Sequence, residues 1–168
     1  VKKEDWKVTL VDTGEKTQTG GRLKRVKPYI NNRTFCFTYG DGLSDVNITQ
    51  LINMHKSKNN LATLTAVKPP GRYGALKLEE SKVLEFMEKP DGDLAWINGG
   101  FFVLEPDVID LIGGDQSSWE NETLPILARQ GDLSSYYHSG FWQPMDTLRD
   151  KNKLQELWET GNAPWKSW

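Results

Sequence analysis

Two acidic residues follow β-prone segments and could act together on a charged ligand. Asp41 ends the stretch FCFTYGDG, where Gly40 and Gly42 exclude bulky side chains, and Asp146 ends FWQPMD. If both segments are strands of one sheet, the carboxylates form a pair of hard oxygen donors that suits Mg²⁺ shared with phosphate oxygens. Either aspartate alone could instead be a turn residue that caps the helix predicted to follow it.

Three further segments carry groups that could bind a sugar phosphate or a nucleotide. Glu88 and Lys89 in EKP combine an acceptor for vicinal sugar hydroxyls with an ammonium for a phosphate, or form an ordinary surface ion pair. TGGR at 19–22 could offer backbone N–H groups to an anion at a helix start. INGG at 97–100 places two glycines in a strand, which indicates a bulge or the close approach of a ligand.

The remaining reactive residue types predict no catalytic centre. His55 lies on an apolar helix face and is predicted to be a packed histidine, and His138 has no triad partners in the pattern. Cys36 is the single cysteine, so an intramolecular disulfide is impossible, and we expect a small buried hydrophobe there. A chain with this cysteine usage fits a reducing, cytoplasmic location.

Size and composition limit the class of protein. The 168 residues are enough for one domain with a packed core, and we expect a single domain over 1–168. Hydrophobic residues make up 37% and the formal net charge is −2, so no basic field for nucleic acid exists. No apolar run is long enough to span a membrane. Neither a nucleic acid nor a membrane is therefore an expected partner.

Alternating strand and helix patterns predict a mixed α/β sheet, in which ligands bind at the carboxyl ends of strands. The predicted strands cover 6–14, 34–39, 61–67, 97–106, 133–138 and 140–146, with a hairpin over 75–90 that turns at 79–81. The predicted helices cover 19–30, 45–60, a segment after 117, and 147–159.

Capping and packing signals refine these helices. Asp45 or Asn47 is expected to cap the second helix, and Ser117 with Glu120 forms a capping-box signature for the third. In the last helix we expect the apolar residues to face inward, and these are Leu154, Leu157 and Trp158.

Eight segments, in order and spacing, resemble the glucose-1-phosphate cytidylyltransferases of the sugar nucleotidyltransferase family. They run from VTLVDTG through TGGRLKR, FTYGDG, PPGRYGAL, EKP, INGGFFVL and FWQPMDTLRD to APWKSW. GRYGAL followed by EKP is typical of the broader family. TLVDTG, FWQPMDTLRD and the tryptophan-rich tail favour the cytidylyl branch, and the resemblance covers essentially the whole chain.

The resemblance implies a fold and a reaction. The fold is α/β, a Rossmann-like mixed β-sheet flanked by helices, of the nucleotide-diphospho-sugar transferase type. The reaction joins CTP to α-D-glucose 1-phosphate and releases pyrophosphate and CDP-glucose, which feeds the deoxysugars of surface polysaccharide. The sugar phosphate oxygen attacks the α-phosphorus in line, so the protein mainly positions reactants and neutralises charge.

The resemblance also implies roles for individual residues. Asp41 and Asp146 would hold Mg²⁺ between the phosphates and, with Lys89, are the catalytic candidates. Predicted contacts to the nucleotide come from Thr19, Gly21 and Gly40. Predicted contacts in the glucose pocket come from Gly74, Glu88, Lys89, Asn98 and Gly99.

One departure from the family pattern limits the expectation of activity. Family members open with a strand and a glycine-rich loop of the type GGxGTR, followed by a lysine, and the 168 residues contain no such motif. We therefore expect a partial domain, truncated at its N-terminus, that lacks the first strands and this loop. Without the loop the departing pyrophosphate loses an electrostatic stabiliser, which makes activity of this chain alone doubtful.

Two alternatives to catalysis remain open at this stage. One is a non-catalytic remnant that binds sugar phosphate or nucleotide, or that only self-associates. The other is a glycosyltransferase with a related sheet, which EKP and TGGR disfavour. The strand over 34–39 is apolar on both faces, so losing a neighbour would leave an unpaired edge. We expect two or more copies to cover that edge as a homodimer or a larger homo-oligomer.

Overall fold

A four-stranded mixed sheet is the centre of the computed structural model, which describes residues 5–69, 75–87 and 96–167. The strands have the order β1-β6-β3-β7, where β6 runs antiparallel to both neighbours and β3 is parallel to β7. Their bounds are β1 Phe35–Thr38, β3 Ala62–Val67, β6 Ile97–Leu104 and β7 Leu133–His138. The predicted Rossmann-like α/β class is confirmed.

Two separate two-stranded sheets contain the remaining described strands. The first joins β2 Gly42–Ser44 to β8 Trp142–Pro144 in antiparallel fashion. The second joins β4 Ala75–Glu79 to β5 Lys82–Met87, so the predicted hairpin and the position of its turn are confirmed.

Helices cover both faces of the sheet. The four α-helices are α1 Thr19–Arg25, α2 Ile48–Lys58, α3 Leu124–Gln130 and α4 Leu148–Glu159. A 3₁₀ helix follows α1 at Lys27–Tyr29, another covers Pro106–Leu111, and a π-helical turn at Trp119–Thr123 leads into α3. No helix in these described ranges is both long and apolar enough to cross a bilayer.

The hydrophobic core lies between the sheet and the layer that contains α1, α3 and the two segments 106–111 and 119–123. Phe37, Tyr39, Phe102 and Trp119 form its aromatic centre, with ring centroids 5.5–5.9 Å apart. Trp119 is fully buried. Aromatic side chains of this size supply much of the apolar area that stabilises the sheet against its helices.

On the opposite face, α2 packs on β3, β6 and β7. Its buried His55 lies 2.9 Å from the Thr63 hydroxyl and 3.0 Å from the Glu105 carboxylate, so the prediction of a packed histidine is confirmed. Asn47 caps α2 by accepting a hydrogen bond from the Gln50 amide, which settles the choice between Asn47 and Asp45.

Strand β1 is the edge of the sheet in the described part of the chain, because it pairs with β6 and no described strand lies on its other side. Cys36 on this strand is exposed, so the expectation of a buried cysteine was wrong. The cause is that α2 covers the neighbouring strands and leaves this face of β1 open.

The segment 6–14 was predicted to be a strand, and this prediction was wrong. It has no regular structure, and Trp6, Val8 and Leu10 are exposed by 77%, 72% and 93%. A strand needs a neighbour to pair its backbone N–H and C=O groups, and none of the described strands lies beside this segment.

Two details of the later helices also differ from prediction. Ser118, and not Ser117, caps the turn before α3, since its hydroxyl accepts from the Asn121 amide at 3.1 Å. In α4, Leu154 is buried as predicted, but Trp158 is 48% exposed. Its indole packs under the Lys166 ammonium 4.9 Å away, a contact that keeps an aromatic ring at the surface.

Candidate active site at the carboxyl ends of two strands

The pairing of β2 with β8 brings the two predicted aspartates to one place. Gly42 pairs with Pro144, and the Met145 amide donates to the Asp41 carbonyl at 2.7 Å, so Asp146 follows directly behind this bond. Asp41 and Asp146 line the same cavity, whose volume is about 220 Å³. The juxtaposition of two strand-end carboxylates is therefore present in the fold.

The opposite wall of this cavity comes from a bulge in β6. The register between β3 and β6 shifts at Leu64 and Ala66, opposite Asn98 and the two glycines. A Cβ on Gly99 would lie 2.7 Å from Val67, and one on Gly100, whose φ is +78°, would lie 2.6 Å from the Tyr39 ring. Packing thus requires both glycines, and the bulge places Asn98 and Gly99 on the cavity wall.

Gly40 differs from these glycines, because no contact within the described structure requires a glycine at this position. A Cβ at this position would meet no atom within 4 Å, and its φ lies outside the left-handed region. Neither packing nor backbone conformation therefore requires glycine beside Asp41. The space beside Gly40 is therefore open in the described structure.

A hydrogen-bond network behind the cavity joins the residues predicted for nucleotide and for sugar. Glu120 accepts from the Tyr39 hydroxyl at 2.7 Å and from the Thr19 hydroxyl at 2.6 Å. The Asn98 amide donates to the Tyr39 oxygen at 3.2 Å, and its carbonyl accepts from the Gly100 amide at 2.9 Å. One N–H of Asn98 thereby remains for the cavity.

The pKa values in this network show that Glu120 is held as a carboxylate. Burial acts to raise the pKa of Glu120, but hydrogen bonds from Thr19, Tyr39 and Ser118 together outweigh it and leave the pKa below its usual value. Burial, followed by the bond to Glu120, raises the pKa of Tyr39 above its usual range. The sequence indicated Glu120 only as a capping residue, because its link to Tyr39 spans 81 positions.

The predicted nucleotide contacts at the start of α1 serve packing in this structure. A Cβ on Gly21 would lie 2.5 Å from the Asp115 carbonyl, and the Gly21 amide already donates to the Ser117 carbonyl at 3.2 Å. Thr19 also accepts from the Trp119 amide at 3.0 Å. The roles of Thr19 and Gly21 toward a nucleotide stay predictions.

Three predicted residues lie outside the described residues, namely Gly74, Glu88 and Lys89. Their proposed contacts to glucose and phosphate stay predictions as well.

His138 has neighbours that the sequence did not indicate. Its Nε2 lies 2.9 Å from Asp45 Oδ1, 3.2 Å from the Ser44 hydroxyl and 3.2 Å from the Phe141 carbonyl. All three groups share one ring nitrogen, whereas a Ser-His-Asp relay needs the two nitrogens to serve different partners.

The carboxylate pair is a fitting donor set for a magnesium ion that also binds phosphate. Mg²⁺ commonly takes one or two protein carboxylates and completes its coordination with water and phosphate oxygens. Within the described ranges no group of three or more His, Cys, Asp or Glu could hold a metal by itself. The cavity of Asp41 and Asp146 thus suits an ion that arrives with a nucleotide.

Comparisons with known proteins identify related sequences and structures. A family model described as nucleotidyl transferase matches residues 3–158. The chain is 58% identical over 166 residues to glucose-1-phosphate cytidylyltransferase of Salmonella typhi and 40% identical to a probable glucose-1-phosphate cytidylyltransferase of Bacillus subtilis. Each match covers 98% of this chain, and the chain spans 65% of the length of each of these relatives.

Solved structures share the fold at lower identity. HddC from Yersinia pseudotuberculosis matches with a TM-score of 0.64 at 23% identity, over 86% of this chain and 64% of that one. The inositol-1-phosphate CTP transferase from T. maritima matches with a TM-score of 0.60 at 15% identity, over 90% and 64%.

Proposed function

The chain belongs to the nucleotidyl transferase family, and from this premise we propose that it is part of a glucose-1-phosphate cytidylyltransferase. The reaction would join CTP to α-D-glucose 1-phosphate and release pyrophosphate and CDP-glucose. The observation that carries the proposal is that Asp41 and Asp146, which lie far apart in the sequence, line one cavity. The identity of 58% to relatives named for this activity supports the choice of substrates.

The proposed chemistry is in-line displacement with most catalysis coming from position and charge. An oxygen of the sugar phosphate attacks the α-phosphorus of CTP, and the bond to pyrophosphate breaks. Asp41 and Asp146 would hold Mg²⁺, which when bound neutralises charge on the phosphates. Lys89 is proposed to neutralise the phosphate of the sugar, which would lower repulsion between the two anionic substrates.

The remaining contacts are proposed residue by residue. Gly40, with Thr19 and Gly21, would border the nucleotide, and of these Gly40 has the clearest room for it. Asn98 would donate its remaining N–H to a sugar hydroxyl from the wall it shares with Gly99. Gly74 and Glu88 would complete the glucose pocket.

A second candidate function is binding of sugar phosphate or nucleotide without catalysis. The chain spans 65% of the length of its curated relatives and contains no GGxGTR loop. A loop of that kind would stabilise the leaving pyrophosphate. Asp41 and Asp146, by contrast, line one cavity among the described residues, which supports binding that does not depend on turnover.

Calorimetry with CDP-glucose and Mg²⁺, together with an assay for pyrophosphate release from CTP, distinguishes these functions. We expect binding with a dissociation constant below 1 mM, which corresponds to roughly 4 kcal/mol. Binding with no pyrophosphate release supports the second candidate, and release supports the first. Absence of heat at millimolar ligand would contradict both.

Self-association through β1 is the proposed quaternary arrangement. Beside the unpaired edge lies an apolar cavity of about 290 Å³ lined by Leu23, Val26 and Phe37. Trp6 and Leu10 of a second copy could fill it, since both side chains are exposed and extended chain can add to a sheet edge. Sedimentation at tens of micromolar should show a dimer that Trp6→Ser with Leu10→Ser dissociates, and a clean monomer of the unsubstituted chain would contradict the proposal.

A further inference from the structure

A second cavity lies at the same end of the sheet, on the other side of Trp142. It has a volume of about 420 Å³ and lies where β3 and β7 end, with α4 along one side. Trp142 lines both cavities, and its indole N–H donates to the Gly99 carbonyl at 2.8 Å, so the ring is fixed as a partition. Among the described residues, none of those assigned to nucleotide, glucose or metal lines this cavity.

The charge of the second cavity is the opposite of the first. Lys68 and Lys153 contribute to its lining, and no aspartate or glutamate of the described residues does so. The other lining residues are Pro69, His138, Ser139, Gly140, Phe141, Trp142 and Gln143. A concave site lined by cations attracts an anion, because its low-dielectric walls strengthen the field inside.

Both ammonium groups are held in place by neutral partners. The Lys68 ammonium lies 5.4 Å from the centre of the Trp96 ring. The Lys153 ammonium donates to Gln143 Oε1 at 3.0 Å. No ion pair within the described ranges involves either lysine. Each ammonium keeps N–H groups for a ligand.

The buried side chain of Gln143 is held in one orientation by hydrogen bonds. The side chain is 2% exposed, and its amide nitrogen donates to Asp150 Oδ1 at 3.0 Å and to the Pro144 carbonyl at 3.2 Å. These two bonds fix the amide so that its oxygen must face Lys153. Asp150 is in turn fixed by the capping box it forms with Thr147 at the start of α4.

The floor of the cavity is equally constrained. A Cβ on Gly140 would lie 2.5 Å from Asp45 Oδ1 and 2.7 Å from His138 Cε1. Glycine therefore permits the contact between His138 and Asp45, which holds the imidazole at the cavity wall. The Phe141 ring packs against Trp165 at 5.5 Å, so the aromatic side of the cavity is supported from behind.

We infer that this cavity is a second anion site, distinct from the metal-binding cavity, and that it binds a phosphate monoester through Lys68 and Lys153. The two ammonium groups take the phosphate oxygens, and Phe141 and Trp142 provide apolar surface for a small organic group such as a sugar ring. The site needs neither divalent cation nor nucleotide, so it does not depend on the proposed transfer reaction.

Titration with inorganic phosphate and with glucose 1-phosphate, in EDTA and followed by amide NMR, tests the inference. We expect both ligands to shift the amides of residues 138–141 and Lys68, and glucose 1-phosphate to bind more tightly if the aromatic wall contributes. Equal affinities assign the site to the phosphate group alone, which still supports an anion site. Shifts confined to residues 39–41 and 98–100, or no shifts at 10 mM ligand, would overturn the inference.

Substitution of the two lysines gives a second readout. Lys68→Met with Lys153→Met should weaken phosphate binding by at least tenfold, which is about 1.4 kcal/mol, because both charged donors to the phosphate are removed. Both lysines are exposed, so the fold should persist. Lys151→Ala, on the same helix and outside the cavity, is the matched control and should bind as the unsubstituted chain does. Unchanged affinity in the double variant would refute the role of the lysines.

Discussion

The two cavities on either side of Trp142 show how residues of opposite charge can lie close together at one end of the sheet. The first contains Asp41, just after β1, and Asp146, just after β8. The second contains Lys68, just after β3, and Lys153 on α4. The acids depend on the backbone pairing of β2 with β8, whereas the lysines depend on neutral side chains that hold them. Strand ends therefore determine the first site, and tertiary contacts determine the second.

The largest effect is expected when the acids are neutralised. Asp41→Asn with Asp146→Asn should lower the affinity for Mg²⁺ in the presence of CDP-glucose by about a hundredfold or more, which is roughly 2.7 kcal/mol. The reason is that amide oxygens carry no charge to oppose that of the ion. Calorimetry measures the effect, and Asp107→Asn, at an exposed helix start, is the control. If phosphate binding in EDTA fell equally, the two cavities would not be independent.

A glycine substitution is expected to damage the second cavity through packing. Gly140→Ala should lower the free energy of unfolding by about 1–3 kcal/mol, because the new methyl group overlaps Asp45 and His138. Urea denaturation measures the change. Gly114→Ala is the matched control, since a Cβ there meets nothing within 4 Å and should be neutral or slightly stabilising. Equal stability of the two variants would contradict the close approach at Gly140.

A smaller effect is expected behind the first cavity. Tyr39→Phe removes the hydroxyl that donates to Glu120 and accepts from Asn98, and should cost about 1 kcal/mol of unfolding free energy. It should also weaken glucose 1-phosphate binding at the first cavity, because Asn98 loses one of the two bonds that orient its amide. Phosphate binding at the second cavity should not change. A loss at both would show that Trp142 does not isolate them.

The smallest expected effect is one of pH. The pKa of Glu120 is lower in the folded chain than in the unfolded one, so its stabilising contribution is present above the unfolded value. It is lost as the pH falls through the folded value. Glu120→Gln should therefore reduce the acid-induced loss of stability below about pH 4.3 and leave the trend at neutral pH unchanged. Denaturation curves between pH 3 and 7 measure this, and identical acid limbs would contradict it.

Local patterns were enough to predict much of the fold and the first cavity. The apolar run at 35–38, the cap at Asn47 and the hairpin at 75–87 are signals within a few residues of the elements they define. Asp41 and Asp146 were predicted together because each follows a strand pattern and precedes a helix. Local signals of this kind survive without knowledge of tertiary contacts.

The errors and omissions concern contacts that no local periodic pattern in the sequence indicates. The segment at 6–14 has a strand pattern but no neighbouring strand among those described. Trp158 lies at the helical spacing of an inward residue but packs against the Lys166 ammonium at the surface. The links from Tyr39 to Glu120 and from Lys153 to Gln143 pair residues whose spacing carries no periodicity. Such contacts exist only once the sheet and helices are assembled.

The position of β6 inside the sheet has a consequence for how the chain folds. β1 pairs with β6 at Phe35 and Leu104, and β3 pairs with the same strand at Ala62 and Leu104. Both earlier strands must therefore wait, during synthesis, for a partner that leaves the ribosome much later. High contact order of this kind slows folding and leaves apolar strands accessible to chaperones or to aggregation. We therefore expect the pairing of β6 with β1 and β3 to set the rate at which the sheet forms.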